Sequence, residues 1–250
     1  MASLLRNLSL ECVRGFTRFL SELTFSPGGI EDNLKQEIRS GVIGMKRISV
    51  KELIVTALLF ASAVVGAAGR CPAPSNEQLG AIVRVEGNES EGSGVIIRRN
   101  LIATAAHVIE DVDRVTVRVN GMRRPADIIS VLPSHDLALL FANTGRQQPL
   151  PLRYSALHPE ETVWAVGYPR GGNQQASRGR FEGLYGDDLQ TTASVDHGQS
   201  GGGLITCENG EHVLAGIITA FGALDMGDHY ERLNDFSLST PVGYLLSMLY

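Results

Sequence analysis

The sequence predicts an all-β protein, either a barrel or a sandwich, and two observations carry that prediction. Short apolar runs recur between residues 81 and 221, and many of them are rich in the β-branched residues that favour strands. Gly, Pro, Asn or Asp separates successive runs, as expected of turns. A hydrophobic content of 43% together with 28 glycines is typical of a globular β-rich protein and argues against a disordered chain.

The elements follow from these runs in chain order. Candidate strands lie at 81–85, 95–97, 101–105, 115–119, 128–132, 137–141, 162–166, 189–193, 204–206 and 213–221. The segment 146–151, which contains Pro149 and Pro151, is predicted to connect two halves of the protein. A closing helix is predicted over 241–250, because Pro241 suits the first turn of a helix.

Residues 45–69 have the pattern of a secretory signal peptide. Lys46, Arg47 and Lys51 precede or open an apolar stretch at 53–65, and small residues follow at 66–69. This apolar core is shorter than the roughly 20 residues that span a bilayer, so no stable membrane span is expected after cleavage. The protein is therefore expected to be exported, to the periplasm or outside the cell. The alternative is an uncleaved anchor or a buried helix.

The domain organisation is predicted from this signal. Residues 1–44 are interpreted as a mispredicted start ahead of Met45, or as a propeptide or amphipathic leader. Residues 70–78 form an N-terminal arm, and 79–250 form the folded domain. Of the cysteines, Cys71 and Cys207 remain in the exported part, where a disulfide is permitted; two unlinked thiols are the alternative.

Composition also restricts the partners. A net charge of −5 without a basic cluster argues against a nucleic-acid partner. No Cys/His spacing suggests zinc, and no cofactor is expected.

Three segments bring together the residue types of nucleophilic hydrolysis. His107 ends a Thr-Ala-Ala-His run, Asp136 begins Asp-Leu-Ala-Leu-Leu, and Ser200 lies within Gly-Gln-Ser-Gly-Gly-Gly. A serine hydroxyl is a poor nucleophile until an imidazole takes its proton, and a carboxylate holds that imidazole in the required tautomer. The glycines around Ser200 permit a sharp turn whose amides converge on an oxyanion. Each residue alone would also suit an ordinary cap, turn or loop.

These motifs resemble the trypsin-like (chymotrypsin-fold) serine peptidases, in the style of the bacterial Deg and glutamyl-endopeptidase branch. The resemblance extends from about residue 79 to 250, and it is strong at the three motifs and faint between them. It implies two six-stranded antiparallel β-barrels, at about 79–145 and 152–239, with the site in the cleft between them. No residues follow the closing helix to form the PDZ module that Deg proteases carry, so the chain departs from that subgroup.

The resemblance also implies roles for individual residues. His107 would be the general base, Asp136 its orienting partner and Ser200 the nucleophile. The backbone N–H groups of Gly198 and Ser200 would form the oxyanion hole. Thr219 resembles the hydroxyl residue beside the family's aspartate.

Two positions depart from the digestive members of the family. Gln199 stands where they carry an aspartate that pairs with a new N-terminal amine, so no such zymogen switch is expected. Ser194 stands where trypsin carries its acidic residue. The substrate pocket is predicted from Ser194, Ile218, Thr219 and Ala220, and it would accept a small or aliphatic P1 side chain. A preference for cations would arise if Asp196 faced the pocket, and His197 is a further candidate for the cleft lining.

The predicted function is thus a serine endopeptidase acting on protein or peptide substrates. A binding protein on a catalytically lapsed peptidase fold and a membrane-tethered adaptor are the alternatives. An esterase is disfavoured by the order of the three residues and by the absence of alternating strands and helices.

Overall fold

The computed structural model describes residues 71–249, apart from 89, 111 and 113. The leader, the signal segment with its predicted helix and Arg70 of the arm lie outside the described residues. In the described part, no helix is both long enough and apolar enough to cross a membrane.

Six antiparallel strands close the first barrel in the order β1-β2-β3-β6-β5-β4. They are β1 (Ile82–Glu86), β2 (Glu91–Arg98), β3 (Leu101–Ala105), β4 (Val115–Val119), β5 (Met122–Leu132) and β6 (Leu137–Phe141). In β4, Val115, Val117 and Val119 are buried, whereas Thr116 and Arg118 are only half-buried. This period of two is that of a strand with one face on a core.

A second barrel of six antiparallel strands closes in the order β10-β11-β12-β9-β8-β7. Its strands are β7 (Thr162–Gly167), β8 (Gln175–Tyr185), β9 (Asp188–Thr191), β10 (Gly203–Glu208), β11 (Glu211–Asp225) and β12 (Tyr230–Pro241). The expected all-β fold of two six-stranded barrels is confirmed. The sequence prediction misses β8 and β12, in which polar and charged residues outnumber the β-branched ones.

Two hairpins depend on Asn-Gly turns. Asn120-Gly121 joins β4 to β5, Asn209-Gly210 joins β10 to β11, and all four residues have positive φ. This pair is the preferred two-residue hairpin loop, because both positions must adopt positive φ. These turns fix the register of both hairpins.

Neighbouring residues of β11 serve two different cores. Ile217 packs in the cluster that fills the first barrel and extends to the second, and Ile218 packs in the core of the second barrel. Successive side chains of a strand point to opposite faces, so one strand contributes to both clusters.

Helices are confined to the two ends of the described chain. Helix α1 (Asn76–Leu79) begins with a capping box between Ser75 and Gln78. Helix α2 (Val242–Met248) buries Val242 and Leu245, which lie one turn apart. The closing helix is thus observed, and it begins at Val242 and ends at Met248.

Candidate active site

His107 and Asp136 are adjacent because their segments flank two paired strands. His107 lies in the short 3-10 helix Ala106–Ile109 after β3, and Asp136 follows the 3-10 turn Pro133–His135 before β6. Ala105 of β3 pairs with Leu137 of β6, which places these two loops at the same end of the first barrel.

Asp136 holds His107 by two hydrogen bonds. Its Oδ1 accepts from His107 N at 2.9 Å, and its Oδ2 lies 2.6 Å from His107 Nδ1. Since an ionised carboxylate only accepts, Nδ1 carries the proton and Nε2 is left as the basic nitrogen. Asp136 adopts a left-handed conformation, with φ 49° and ψ 44°, to make this double contact.

The same contact changes the protonation of the imidazole. The hydrogen bond that His107 donates to Asp136 raises the pKa of His107 above its ordinary value of 6.5. Burial acts against this rise, and the charges of Asp136 and Glu110 add to it. The imidazolium form is therefore favoured relative to a free histidine.

Ser200 lies in the loop between β9 and β10 of the second barrel, where it touches the first barrel. Ser93 of β2 donates from its N–H to the carbonyl of Ser200 at 2.8 Å, and from its hydroxyl to the carbonyl of Gly198 at 2.8 Å. Ser93 is completely buried, and Thr104 donates to its carbonyl at 2.7 Å. Sequence reasoning misses Ser93, although its glycine neighbours at 92 and 94 indicate close backbone approach.

The hydroxyl of Ser200 is not bonded to the imidazole in this state. Among the described residues, no hydrogen bond joins Ser200 Oγ to the ring of His107. Their segments are nevertheless neighbours, since a Cβ on Gly92 would lie 3.1 Å from Ser200 O and within 2.7 Å of Val108, next to His107. The structure thus places the segment that carries Ser200 next to the segment that carries His107 and Asp136.

The backbone N–H groups of Gly198 and Ser200, on either side of Gln199, have no acceptor in the described part of the chain, and in the same loop those of Ser194 and Val195 have none either. The carbonyl of His197 accepts from Arg170 N at 2.7 Å, and the carbonyl of Gln199 accepts from Gly202 N at 2.9 Å. A trans peptide directs its C=O and N–H to opposite sides, so fixing these carbonyls fixes the two N–H directions. Gly198 has φ +86°, in the left-handed region open to glycine.

Gln199 supports this loop from inside. It is buried, and its Oε1 accepts from Asp196 N at 2.8 Å. Gln199, which stands where the digestive members of the family carry an aspartate, therefore makes a neutral hydrogen bond within the loop.

The four predicted pocket residues do not all face an open site. Ile218 is 1% exposed and packs in the core of the second barrel, so its place in the pocket wall stays a prediction. Ser194 and Thr219 are half-buried, and Ala220 is exposed. Thr219 donates to the carbonyl of Leu238, and no hydrogen bond in the described part of the chain joins it to Asp136.

Asp196 and His197, which precede Gly198, are both engaged by neighbours. Asp196 Oδ2 lies 2.9 Å from Arg170 Nε and 3.2 Å from Arg232 Nη1. Burial acts to raise the pKa of Asp196, but the His197 N–H and the two guanidiniums outweigh it and hold the pKa below its usual value. The exposed ring of His197 lies edge-on to Phe221, with centroids 4.9 Å apart.

The two cysteines of the folded domain form a disulfide. Cys71 and Cys207 are bonded, with Cα atoms 5.3 Å apart, and the bond fastens the N-terminal arm to β10. Among the described residues, Cys71, Cys207 and His212 are the group compact enough to hold a metal ion. Because both sulfurs are used in the disulfide, this group offers no thiolate ligand.

Comparisons with known proteins agree with this geometry. A family model for the trypsin-like peptidase domain matches residues 92–217. The serine protease Rv3671c of Mycobacterium tuberculosis is 34% identical over 181 residues, which cover 61% of this chain and 44% of that protein. The serine endoprotease DegS of Escherichia coli is 31% identical over 168 residues, covering 62% and 44%. The chain thus spans less than half the length of these relatives.

Solved structures share the fold. The serine endoprotease from Yersinia pestis superposes with a TM-score of 0.59 at 24% identity, over 71% of this chain and 66% of that one. The HtrA-type protease AlgW, solved with a tripeptide, gives a TM-score of 0.61 at 24% identity, over 70% and 62%.

Proposed function

The chain belongs to the trypsin-like peptidase domain family, and on this premise we propose that it is a serine endopeptidase that cleaves proteins through an acyl-enzyme at Ser200. His107 acts as general base and Asp136 orients it. The observation that carries the proposal is the double hydrogen bond from His107 to Asp136, at 2.9 and 2.6 Å, together with the unpaired N–H groups of Gly198 and Ser200 in the serine loop.

The reaction follows from the tautomer of His107. With its Nδ1 proton held by Asp136, Nε2 takes the proton of Ser200 as Oγ attacks the substrate carbonyl. When substrate is bound, Ser200 Oγ must come within hydrogen-bond reach of Nε2, since catalytic hydrogen bonds often form only in that complex. The imidazolium then gives this proton to the leaving amine, and a water deprotonated by the same nitrogen releases the acyl group.

The N–H groups of Gly198 and Ser200 stabilise the oxyanion. They lack other acceptors, so they meet the developing charge without first breaking a hydrogen bond. Preorganised donors of this kind contribute about 10²–10³-fold each in related chemistry.

The preferred P1 residue is small or aliphatic. Ser194 brings no charge to the pocket, and the carboxylate of Asp196 is already paired with Arg170 and Arg232. A substrate cation would have to displace two guanidiniums to reach it. Profiling with a peptide library tests this preference, and a dominant preference for Arg, Lys or Glu at P1 would refute it.

A fluorophosphonate probe tests the central proposal. The native protein should form a covalent adduct on a peptide containing Ser200, and Ser200→Ala should abolish it. Ser247→Ala is the matched control, because it removes an exposed hydroxyl of helix α2 that donates to Tyr244 O, and it should leave labelling intact. An unlabelled, folded native protein would instead support the catalytically lapsed binding protein.

Export is proposed from residues 45–69, and the relative DegQ of Escherichia coli is described as periplasmic. N-terminal sequencing of the native protein tests it. A mature terminus close to residue 70 is expected, and an intact peptide from residues 2–40 would contradict export from Met45. Retention of 45–69 in a membrane fraction would favour the tethered adaptor.

A further inference from the structure

The peptide groups on both sides of His197 are held by one pair of residues. Asp196 Oδ1 accepts from His197 N at 2.8 Å, and Arg170 N donates to His197 O at 2.7 Å. The two holding residues are themselves joined, since Arg170 Nε donates to Asp196 Oδ2 at 2.9 Å. These three hydrogen bonds therefore hold both the N–H and the carbonyl of His197 in place.

A second arginine, Arg232, contacts Asp196 and the carbonyl of the residue before it. Arg232 Nη1 donates to the carbonyl of Val195 at 3.0 Å and lies 3.2 Å from Asp196 Oδ2. Asp196 is the least exposed of the three charged side chains, at 16%, against 33% for Arg232 and 76% for Arg170. Backbone strain marks the same place, because Arg170 has φ 50° and ψ 36°, which non-glycine residues adopt at a cost.

The direction of one oxyanion-hole donor depends on these contacts. If the His197 carbonyl turned away from Arg170, the planar peptide would turn the Gly198 N–H out of the hole. A Cβ on Gly198 would lie 2.6 Å from Tyr168 O and 2.9 Å from Arg170 N, so the turn Pro169–Gly171 packs directly on this peptide. Gln199 is neutral, so it forms no ion pair that could hold the His197–Gly198 peptide group in its place.

We propose that Asp196, with Arg170 and Arg232, is a positioning cluster that keeps the Gly198 N–H directed into the oxyanion hole before substrate arrives. The cluster rests on the proposed function, since it acts through the oxyanion hole of the proposed acyl transfer. It touches neither substrate nor the reacting atoms, so its effect falls on kcat and on the binding of tetrahedral adducts.

The test compares Asp196→Asn with Arg180→Ala. Asparagine keeps the size of the side chain but removes the charge that holds both guanidiniums. Arg180→Ala also breaks an ion pair of the second barrel, the 3.2 Å contact with Glu160, whose side chains are 60% and 71% exposed. We expect Asp196→Asn to lower kcat about 10- to 100-fold with KM within about twofold, a smaller loss than the 10²–10³-fold of an oxyanion donor because Arg170 N–H still holds His197. Arg180→Ala should leave both parameters unchanged.

Two further measurements separate positioning from general destabilisation. A peptide aldehyde, which forms a tetrahedral adduct, should bind Asp196→Asn more weakly by the same factor as kcat falls, while a product peptide binds equally well. Arg170→Ala, at a mostly exposed position where folding is not at risk, should also lower kcat, and Arg170→Lys should recover part of that loss.

The outcomes are distinct. An unchanged kcat in Asp196→Asn, or a change in KM alone, overturns the cluster while native turnover upholds the peptidase. If Asp196→Asn does not fold, the Arg170 pair decides, and a normal kcat in Arg170→Ala overturns the cluster. A native protein with neither turnover nor probe labelling refutes the proposed function itself.

Discussion

The hydroxyl of Ser93 donates a 2.8 Å hydrogen bond to the carbonyl of Gly198, across the boundary between the two barrels. The same oxygen accepts from Tyr168 N at 2.9 Å, so one buried hydroxyl satisfies a donor and an acceptor of the second barrel. The loop that carries Ser200 is therefore shaped by the first barrel as well as by its own.

Ser93→Ala should reduce both stability and turnover. It leaves the Gly198 carbonyl and the Tyr168 N–H without their partner at a buried position, which costs about 1–3 kcal/mol of unfolding free energy. Urea unfolding measures this loss, and steady-state kinetics should show a lower kcat. Ser247→Ala removes an exposed hydroxyl bonded to Tyr244 O and is the control, with no measurable loss expected. Equal stability of the two variants would contradict the bridging role.

The pH dependence of turnover should report His107. Only the neutral imidazole takes the serine proton, so kcat/KM should rise with pH through a pKa above 6.5. Asp136→Asn removes the largest cause of the raised pKa, and the rise should move to lower pH. It also permits the wrong tautomer, which lowers kcat by about 10⁴-fold in the trypsin example. If kcat/KM rose at the same pH in Asp136→Asn as in the native protein, the group that controls this rise would not be His107.

Gly201→Ala should be far more damaging than Gly210→Ala. Both glycines have positive φ, +81° and +86°, which an alanine adopts at a cost of about 1–2 kcal/mol. A Cβ at Gly210 meets open space, whereas one at Gly201 would overlap Ser93 O and Thr104 Oγ1. Thermal unfolding and probe labelling of both variants measure the difference, and similar melting temperatures would show that the loop has room to move.

Removal of the disulfide should lower stability without changing the chemistry. Cys71 and Cys207 are separated by 136 residues, and closure of a loop of that size restricts the unfolded chain by about 5 kcal/mol in the entropy model, with measured values of about 2–5 kcal/mol. The double variant Cys71→Ser, Cys207→Ser should unfold at lower urea concentration but keep its kcat. Thiol counting on the native protein, with and without reductant, checks that the bond is present.

Sequence patterns identify the elements whose burial is one-sided or complete. β3 and β6 are found to the residue because their apolar runs end at turn residues. β8 and β12 are missed, because Arg178, Arg180 and Glu182 of β8 face outward and glycines take several remaining positions. Such strands are held by pairing with their neighbours, which a single strand's sequence does not encode.

The residues of the candidate site also divide into those that a sequence pattern identifies and those that it does not. His107, Asp136 and Ser200 stand in recognisable local patterns, and the structure places their segments next to one another. Ser93 and Arg170 have no such pattern, since their importance arises from backbone atoms far away in sequence. For Ile218 the sequence does not distinguish the pocket from the core, because a one-position difference along a strand exchanges the two faces.

The bridge at Ser93 has a consequence for how the protein can be divided. Once the Cys71–Cys207 disulfide is reduced, a cut anywhere in 143–161 would separate two pieces that together retain every atom of the reacting centre, yet the second piece alone would hold Ser200 in a loop lacking its scaffold. Reassociation of the fragments, rather than synthesis of either one, would then restore hydrolysis.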